Sequence, residues 1–372
     1  MKYWVWLSSL NTLSPITRLK LLNHFDEPKN IWNASENELK EINFLTDTAI
    51  KEILNNELKK NADIQLNKLN KLCIKIVTIK DEEYPVYLKN IYDPPVVLYT
   101  KGSIKNDEKS IAIVGSRKAT SYGFEMGEEL ACRLASFGIT ITSGMARGID
   151  TSAHKGALAA KGRTIAVLGC GHDIIYPPEN KVLMECIINS GAVISEYLPG
   201  TAPIQRNFPA RNRIISGLSL GVIIVEAAAN SGSLITADFA LEQGREVFAV
   251  PGDIKRPNSA GANKLIQQGA KLITCAGDVL EELKSYLGDD PVLKSFNQIT
   301  SMYNGLNNQT FYGDLSSEEL CIVENLNHEP LNTDMLIKRT GYNIKIINAI
   351  LTMLELKGIV EQIEGKMFKL KK

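Results

Sequence analysis

At 372 residues the chain is long for one domain, so two or three are expected. Its 44% apolar and 23% charged residues are ordinary for a soluble globular protein. A formal net charge of zero excludes an overall basic field, so any nucleic-acid binding must come from a local patch.

Residues 1–65 read as a small N-terminal helical domain, SAM or helix-hairpin-like, suited to backbone contacts, to protein partners or simply to packing. Leu13, Ile16, Leu19 and Leu22 recur at helical spacing after Ser14-Pro15, a helix start. Pro28 breaks the pattern between Phe25 and Trp32. Ser35 and Glu38 have capping-box spacing, and residues 46–58 read as one further helix. Residues 66–105 form a connector packing on the central domain. It has a β-branched strand over 72–79, an irregular stretch with Pro85, Pro94 and Pro95, and a short strand over 96–99.

Residues 106–287 read as a doubly wound parallel sheet of an α/β fold. Apolar runs at 111–114, 139–142, 164–168, 192–195, 222–225, 246–250 and 271–274 predict strands. Helical patterns at 151–160, 181–189, 234–243 and 263–268 lie between most of them. Residues 288–312 read as a linker rich in Asn, Gln, Ser and Gly. Residues 313–372 read as a winged helix: helices over 318–326 and 342–357, a second helix capped by Asn332 and Thr333, and a hairpin turning at Glu364-Gly365. Ile346, Ile350 and Leu354 are expected on one face of the third helix. Lys345 is nearly the only positive charge on it, so a protein-interaction role weighs at least as much as DNA reading.

Six scattered cysteines without a CxxC pair predict reduced, mostly buried thiols and no metal site; Cys170 and His172 are close but lack a second ligand pair. No apolar run nears the ~18 residues that span a bilayer. The N-terminus MKYWVWLSSL lacks a small-residue cleavage site, so a cytoplasmic protein is expected.

Four turns carry the chemistry. Gly115, Ser116 and Arg117 follow the first strand of the sheet, and Gly144 to Arg147 to Gly148 follow the second. Both should fall at the carboxyl ends of parallel strands, where such sheets bind ligands. Small residues let a phosphate approach backbone N–H groups and an arginine supplies a fork for its oxygens, so a phosphate-bearing ligand is the first inference. The richest motif runs from Pro203 to Gly217. Arg206, Arg211 and Arg213 fall within eight positions around Phe208, after Gln205 and Asn207, with no acid between Glu196 and Glu226. Guanidinium forks with an interleaved ring suit single-stranded nucleic acid; alternatively the ring is core and the arginines pair with distant carboxylates. Ser231, Gly232 and Ser233 expose further donors at a helix start, and the turn at Val250-Pro-Gly-Asp253 is structural or a rim of the same cleft. Asp150 and His154 stand at i,i+4, either as a catalytic pair or as a cap and a hydrogen-bonded core histidine. Neither a GxGxxG fingerprint, a GxxxxGK[ST] loop nor a GxSxG elbow is present, so no cofactor and no catalytic residue is assigned.

The strings IAIVGSR, ITSGMARGIDTSAHKGAL, FPARNRIISGLS and SGSLITADFALEQGREVFAVPG closely resemble DNA processing protein A, the DprA/Smf family. The resemblance spans residues 84–283, and the flanking helical and winged-helix regions fit that family's three-part layout. It implies an extended Rossmann-like central domain in a non-enzymatic bacterial protein that binds single-stranded DNA, protects incoming DNA in natural transformation and loads RecA recombinase, usually as a homodimer. Its DNA pocket maps onto Gly115, Ser116 and Arg117 and onto the stretch from Gln205 to Phe208. Gln205 and Asn230 stand where relatives commonly carry a basic residue, with Arg206 beside the first. A nucleotide hydrolase or phosphoribohydrolase of a related Rossmann-like fold is the alternative, but its PGGxGTxxE string is reduced here to Val250-Pro-Gly-Asp253. A transcriptional regulator working through the winged helix is the third reading.

Overall fold

The computed structural model describes residues 1–287, 317–326, 330–356, 359–363 and 367–370. They fall into two compact units, divided between Phe296 and Asn297. The expected linker over 288–312 and the hairpin tip at Glu364-Gly365 lie outside the described residues.

The first unit opens with helices α1 (Lys2–Ser9), α2 (Pro15–Phe25), α3 (Pro28–Asn33), α4 (Glu36–Lys40), α5 (Asp47–Leu54) and α6 (Asn56–Lys71). Ser14 caps α2 by accepting from the Thr17 amide at 3.1 Å, and Ser35 with Glu38 closes the expected capping box. Two expectations change. Pro28 starts a helix, because its missing N–H costs nothing at the first helical position. The single helix expected over 46–58 is two, divided at Asn55, whose side chain accepts from the Glu57 and Leu58 amides and so restarts the chain as α6.

These helices do not pack apart from the sheet. Trp6, Leu10, Leu21 and Ile53 join Val97, Tyr99, Ile165 and Ile194 in one apolar cluster. The Ser8 and Tyr99 hydroxyls share a 2.5 Å hydrogen bond across it.

The sheet has nine strands: β1 (Lys75–Thr78), β2 (Val97–Gly102), β3 (Ser110–Val114), β4 (Thr140–Ser143), β5 (Thr164–Leu168), β6 (Ala192–Ser195), β7 (Gly221–Ile224), β8 (Glu246–Ala249) and β9 (Lys271–Leu272). Their order is β1-β2-β6-β5-β4-β3-β7-β8-β9. Strands β3 to β9 pair in parallel, while β1 and β2 add an antiparallel edge through β6. Continuous burial of β3 to β7 explains their unbroken Val/Ile runs: helices cover both faces. The chain winds outward from β3 through β4, β5 and β6, then returns to the other side of β3 as β7. That reversal opens a crevice at the carboxyl ends of β3 and β7. Helices α7 (Val86–Lys89), α8 (Ser121–Ser136), α9 (Ile149–Ala159), α10 (Lys181–Ser190), α11 (Asn207–Leu218), α12 (Leu234–Glu242), α13 (Ala260–Gln267), α14 (Ala276–Glu282) and α15 (Lys284–Leu287) complete the unit.

The second unit has helices Ser317–Leu326, Thr333–Thr340 and Ile344–Leu356 and strands β10 (Leu331–Asn332), β11 (Val360–Ile363) and β12 (Met367–Leu370) in the order β10-β12-β11. This is the expected winged helix. Its core takes Ile347, Ile350 and Leu354, whereas Ile346 is turned outward. Among the described residues no helix is long and apolar enough to cross a membrane.

Candidate nucleic-acid interface

An open cleft of about 870 Å³ lies at the reversal of strand order. Its floor is the turn after β3. The Ser116 amide donates to the Glu226 carbonyl at 2.7 Å, and the Ser116 carbonyl accepts from the Ile149 amide at 3.2 Å. The turn is thus clamped between the end of β7 and the start of α9. Gly148 permits this approach: its φ is +78°, and a Cβ there would lie 2.1 Å from the Ser116 carbonyl oxygen. Glu226, which sequence reasoning missed, is buried and accepts from the Thr120 amide at 2.9 Å and hydroxyl at 2.6 Å. The only sequence signal for it is a lone carboxylate closing an apolar run.

Arg117 and Lys118 leave this floor exposed, and Arg117 has no ion pair among the described residues. Its guanidinium carbon lies 5.1 Å from the centre of the Phe208 ring, within cation–π range. Phe208 is half-buried in the first turn of α11. It rests on Gly169, where a Cβ would come within 2.9 Å of the ring. The Tyr176 ring stands 5.4 Å from it, tilted by 36°. An exposed cation and two rings therefore share one wall, with Gln205 and Asn212 also lining the cleft. The opposite wall is the loop after β7. Asn212 donates to the Gly232 carbonyl at 3.2 Å, and the Ser231 and Ser233 hydroxyls bond each other at 2.8 Å. Asn258, beyond the Pro251-Gly252 turn, donates to the Lys118 carbonyl at 2.9 Å and forms a rim.

Several expected contacts have other roles. The amides of Ser116, Gly144 and Ser231 are committed to Glu226, Asp150 and Ala228 oxygens, so they are not free donors. Arg213 is buried and faces away from the cleft; it pairs with Asp93 at 3.0 Å and Glu196 at 2.8 Å, tying α11 to β6 and the connector. Arg211 is buried too, but at the base of the cleft, which it lines. Its Nη1 donates to the carbonyls of Gly144, at 2.6 Å, and Val167, so it laces α11 to β4 and β5. Asn207 donates to the Gly169 carbonyl at 3.1 Å beneath Phe208. Arg206 is exposed at the start of α11 but does not line the cleft, and Arg147 is exposed and forked onto Glu179.

Asp150 and His154 do not form a pair. Asp150 accepts from the Gly144 and Ala146 amides at 3.1 and 3.3 Å; burial pushes its carboxyl up, opposed by the nearby Arg211 charge. His154 bonds the Thr164 hydroxyl at 2.7 Å inside the core. Of the thiols only Cys170 is buried, its pKa pushed up to about 11 by burial, whereas Cys73, Cys186 and Cys275 are exposed, against the expectation of mostly buried cysteines. Among the described residues no group of three His, Cys, Asp or Glu could hold a metal.

The buried histidines make the fold sensitive to acid. Burial lowers the pKa of His154 to about 3 and of His172 to about 4. In an unfolded chain both protonate near pH 6.5. Below that pH the unfolded state binds more protons, so stability falls as pH falls, by ~1.4 kcal/mol per pH unit for each histidine. Urea midpoints between about pH 6.5 and pH 5 should show this slope, reduced in His154→Gln. A midpoint flat across that range would contradict it.

The family profile described as DNA recombination-mediator protein A matches residues 75–284, more than half of the chain. The chain belongs to the DprA/Smf family. A second profile, the DprA winged helix domain, matches residues 312–366. DNA processing protein DprA of Bacillus subtilis is 49% identical over 212 residues, covering 56% of this chain and 71% of that one. Protein Smf of Synechocystis is 34% identical across 98% of both chains. The crystal structure of DprA from Streptococcus pneumoniae superposes with a TM-score of 0.66 at 38% identity, covering 76% of this chain and 98% of that one. DprA from Helicobacter pylori, reported for its single-stranded DNA binding mode, gives a TM-score of 0.51 at 32% identity, covering 57% and 96%. By family, then, this is a DNA processing protein.

Proposed function

We propose that the cleft binds single-stranded DNA, and that the chain acts without catalysis as a cytoplasmic recombination mediator that protects the strand and passes it to RecA, as a homodimer. The observation that carries this reading is the stack of Arg117 on Phe208 beside Tyr176. A strand needs a cation for its phosphate and a ring face for its base, and a duplex offers no free base to stack. The winged-helix unit and the helices α1 to α6 are then places for partner contacts. The engagement of Asp150 with amides, and of His154 with Thr164, supports a binding role over hydrolysis: neither group has a reacting position to reach.

Arg117→Ala tests this directly. It should weaken oligo-dT binding about 10-fold at low salt, the scale of one charge-assisted contact. The slope of log affinity against log salt should flatten by ~0.7, one phosphate contact to a single strand. Unchanged affinity and slope in a folded variant would remove Arg117 from the site.

A further inference from the structure

Arg147 stands between two openings. It lines the small pocket shared by Arg117, Tyr176 and Phe208, and it also lines a groove of about 530 Å³ between the start of α9 and α10. In that groove Thr151 and Lys155 lie one helical turn apart on α9, with Val182 and Leu183 of α10 across from them. Lys155 is exposed and has no ion pair among the described residues. Arg147 does have one: its Nε and Nη2 take the two oxygens of Glu179 at 2.5 and 3.0 Å. Two parallel N–H···O bonds from one guanidinium are also the geometry in which arginine takes a phosphate. Both partners are about half exposed, so water and salt screen the pair and a competing anion can displace it. The turn that carries Glu179 does not depend on the pair, because Asn180 next to it donates to the Met145 carbonyl and the Thr151 hydroxyl at 3.1 and 2.9 Å.

We infer that Arg147 is a second phosphate seat, occupied in the free protein by the Glu179 carboxylate, and that a bound strand leaves the cleft past Tyr176 along the α9–α10 groove toward Lys155. Glu179 is then a built-in competitor that the strand must displace. This rests on the proposed single-strand function of the cleft.

The test is fluorescence anisotropy of short and long oligo-dT with the full chain and with Glu179→Gln, Arg147→Ala and the double variant. Glu179→Gln should tighten binding of the long oligonucleotide about two- to fivefold, the scale of one exposed ion pair released. It should leave the short one, which fills only the cleft, unchanged. Arg147→Ala should weaken the long oligonucleotide and cancel the gain in the double variant. Unchanged or weakened binding by Glu179→Gln, or a gain that survives loss of Arg147, overturns the inference. If the wild type binds oligo-dT in an Arg117-dependent way, that failure leaves the cleft's function standing; if it does not bind at all, both fall.

Discussion

Arg211→Ala is expected to destabilise the protein by ~3–5 kcal/mol, the cost of removing one partner from a buried charged cluster. The side chain is buried, and its Nη1 serves the carbonyls of Gly144 and Val167, which nothing would replace. Asp150 would lose the positive charge that offsets its burial. Burial pulls the Arg211 pKa down and Asp150 opposes it, so the two charges depend on each other. Arg211→Met with Asp150→Asn removes both, and should recover part of the loss because no unpaired charge is left inside. Urea unfolding of the three proteins checks this. A single variant as stable as wild type but deficient in DNA binding would make Arg211 a phosphate clamp, not a brace.

Phe208→Ala carries the largest expected effect on binding. Stacking one base on an aromatic ring contributes ~1–3 kcal/mol, so affinity for oligo-dT should fall roughly 5- to 150-fold. Phe208 also packs on Gly169 and Tyr176, so truncation alone mixes stacking with local loosening. Phe208→Leu separates the two: it keeps apolar bulk over Gly169 but offers no ring face. Phe208→Leu should bind nearly as poorly as Phe208→Ala, while Phe208→Tyr should bind nearly as well as wild type. Wild-type affinity in Phe208→Leu would reduce the ring to core packing.

The contrast between these two side chains, three residues apart, shows what sequence can and cannot convey. The sheet was legible because β3 to β7 are buried on both faces, and burial of that kind leaves continuous Val/Ile runs. The crevice followed from glycine turns at strand ends, and the winged helix from its order of elements. Helix α11 was not legible as a helix. Its arginines at 211 and 213 read equally as phosphate forks or as partners of distant carboxylates; both are buried, Arg213 on the carboxylates of Asp93 and Glu196 and Arg211 on the carbonyls of Gly144 and Val167. No local period reports such pairings. The same holds for backbone donors. Ser116, Gly144 and Ser231 have the small-residue pattern of an anion cradle, but only the packed structure shows their amides already satisfied. The proposed binding therefore rests on side chains at the mouth, Arg117 and Phe208 first. The edge strand β9 is two residues long where four were expected, because pairing with β8 ends at Leu272.

The most direct test of the central claim is fluorescence anisotropy of labelled oligo-dT against a duplex of equal length, over a salt series, with the full chain. The single strand should bind more tightly than the duplex, with affinity weakening steadily as salt rises. Equal or greater affinity for the duplex, or no binding of either, would contradict it.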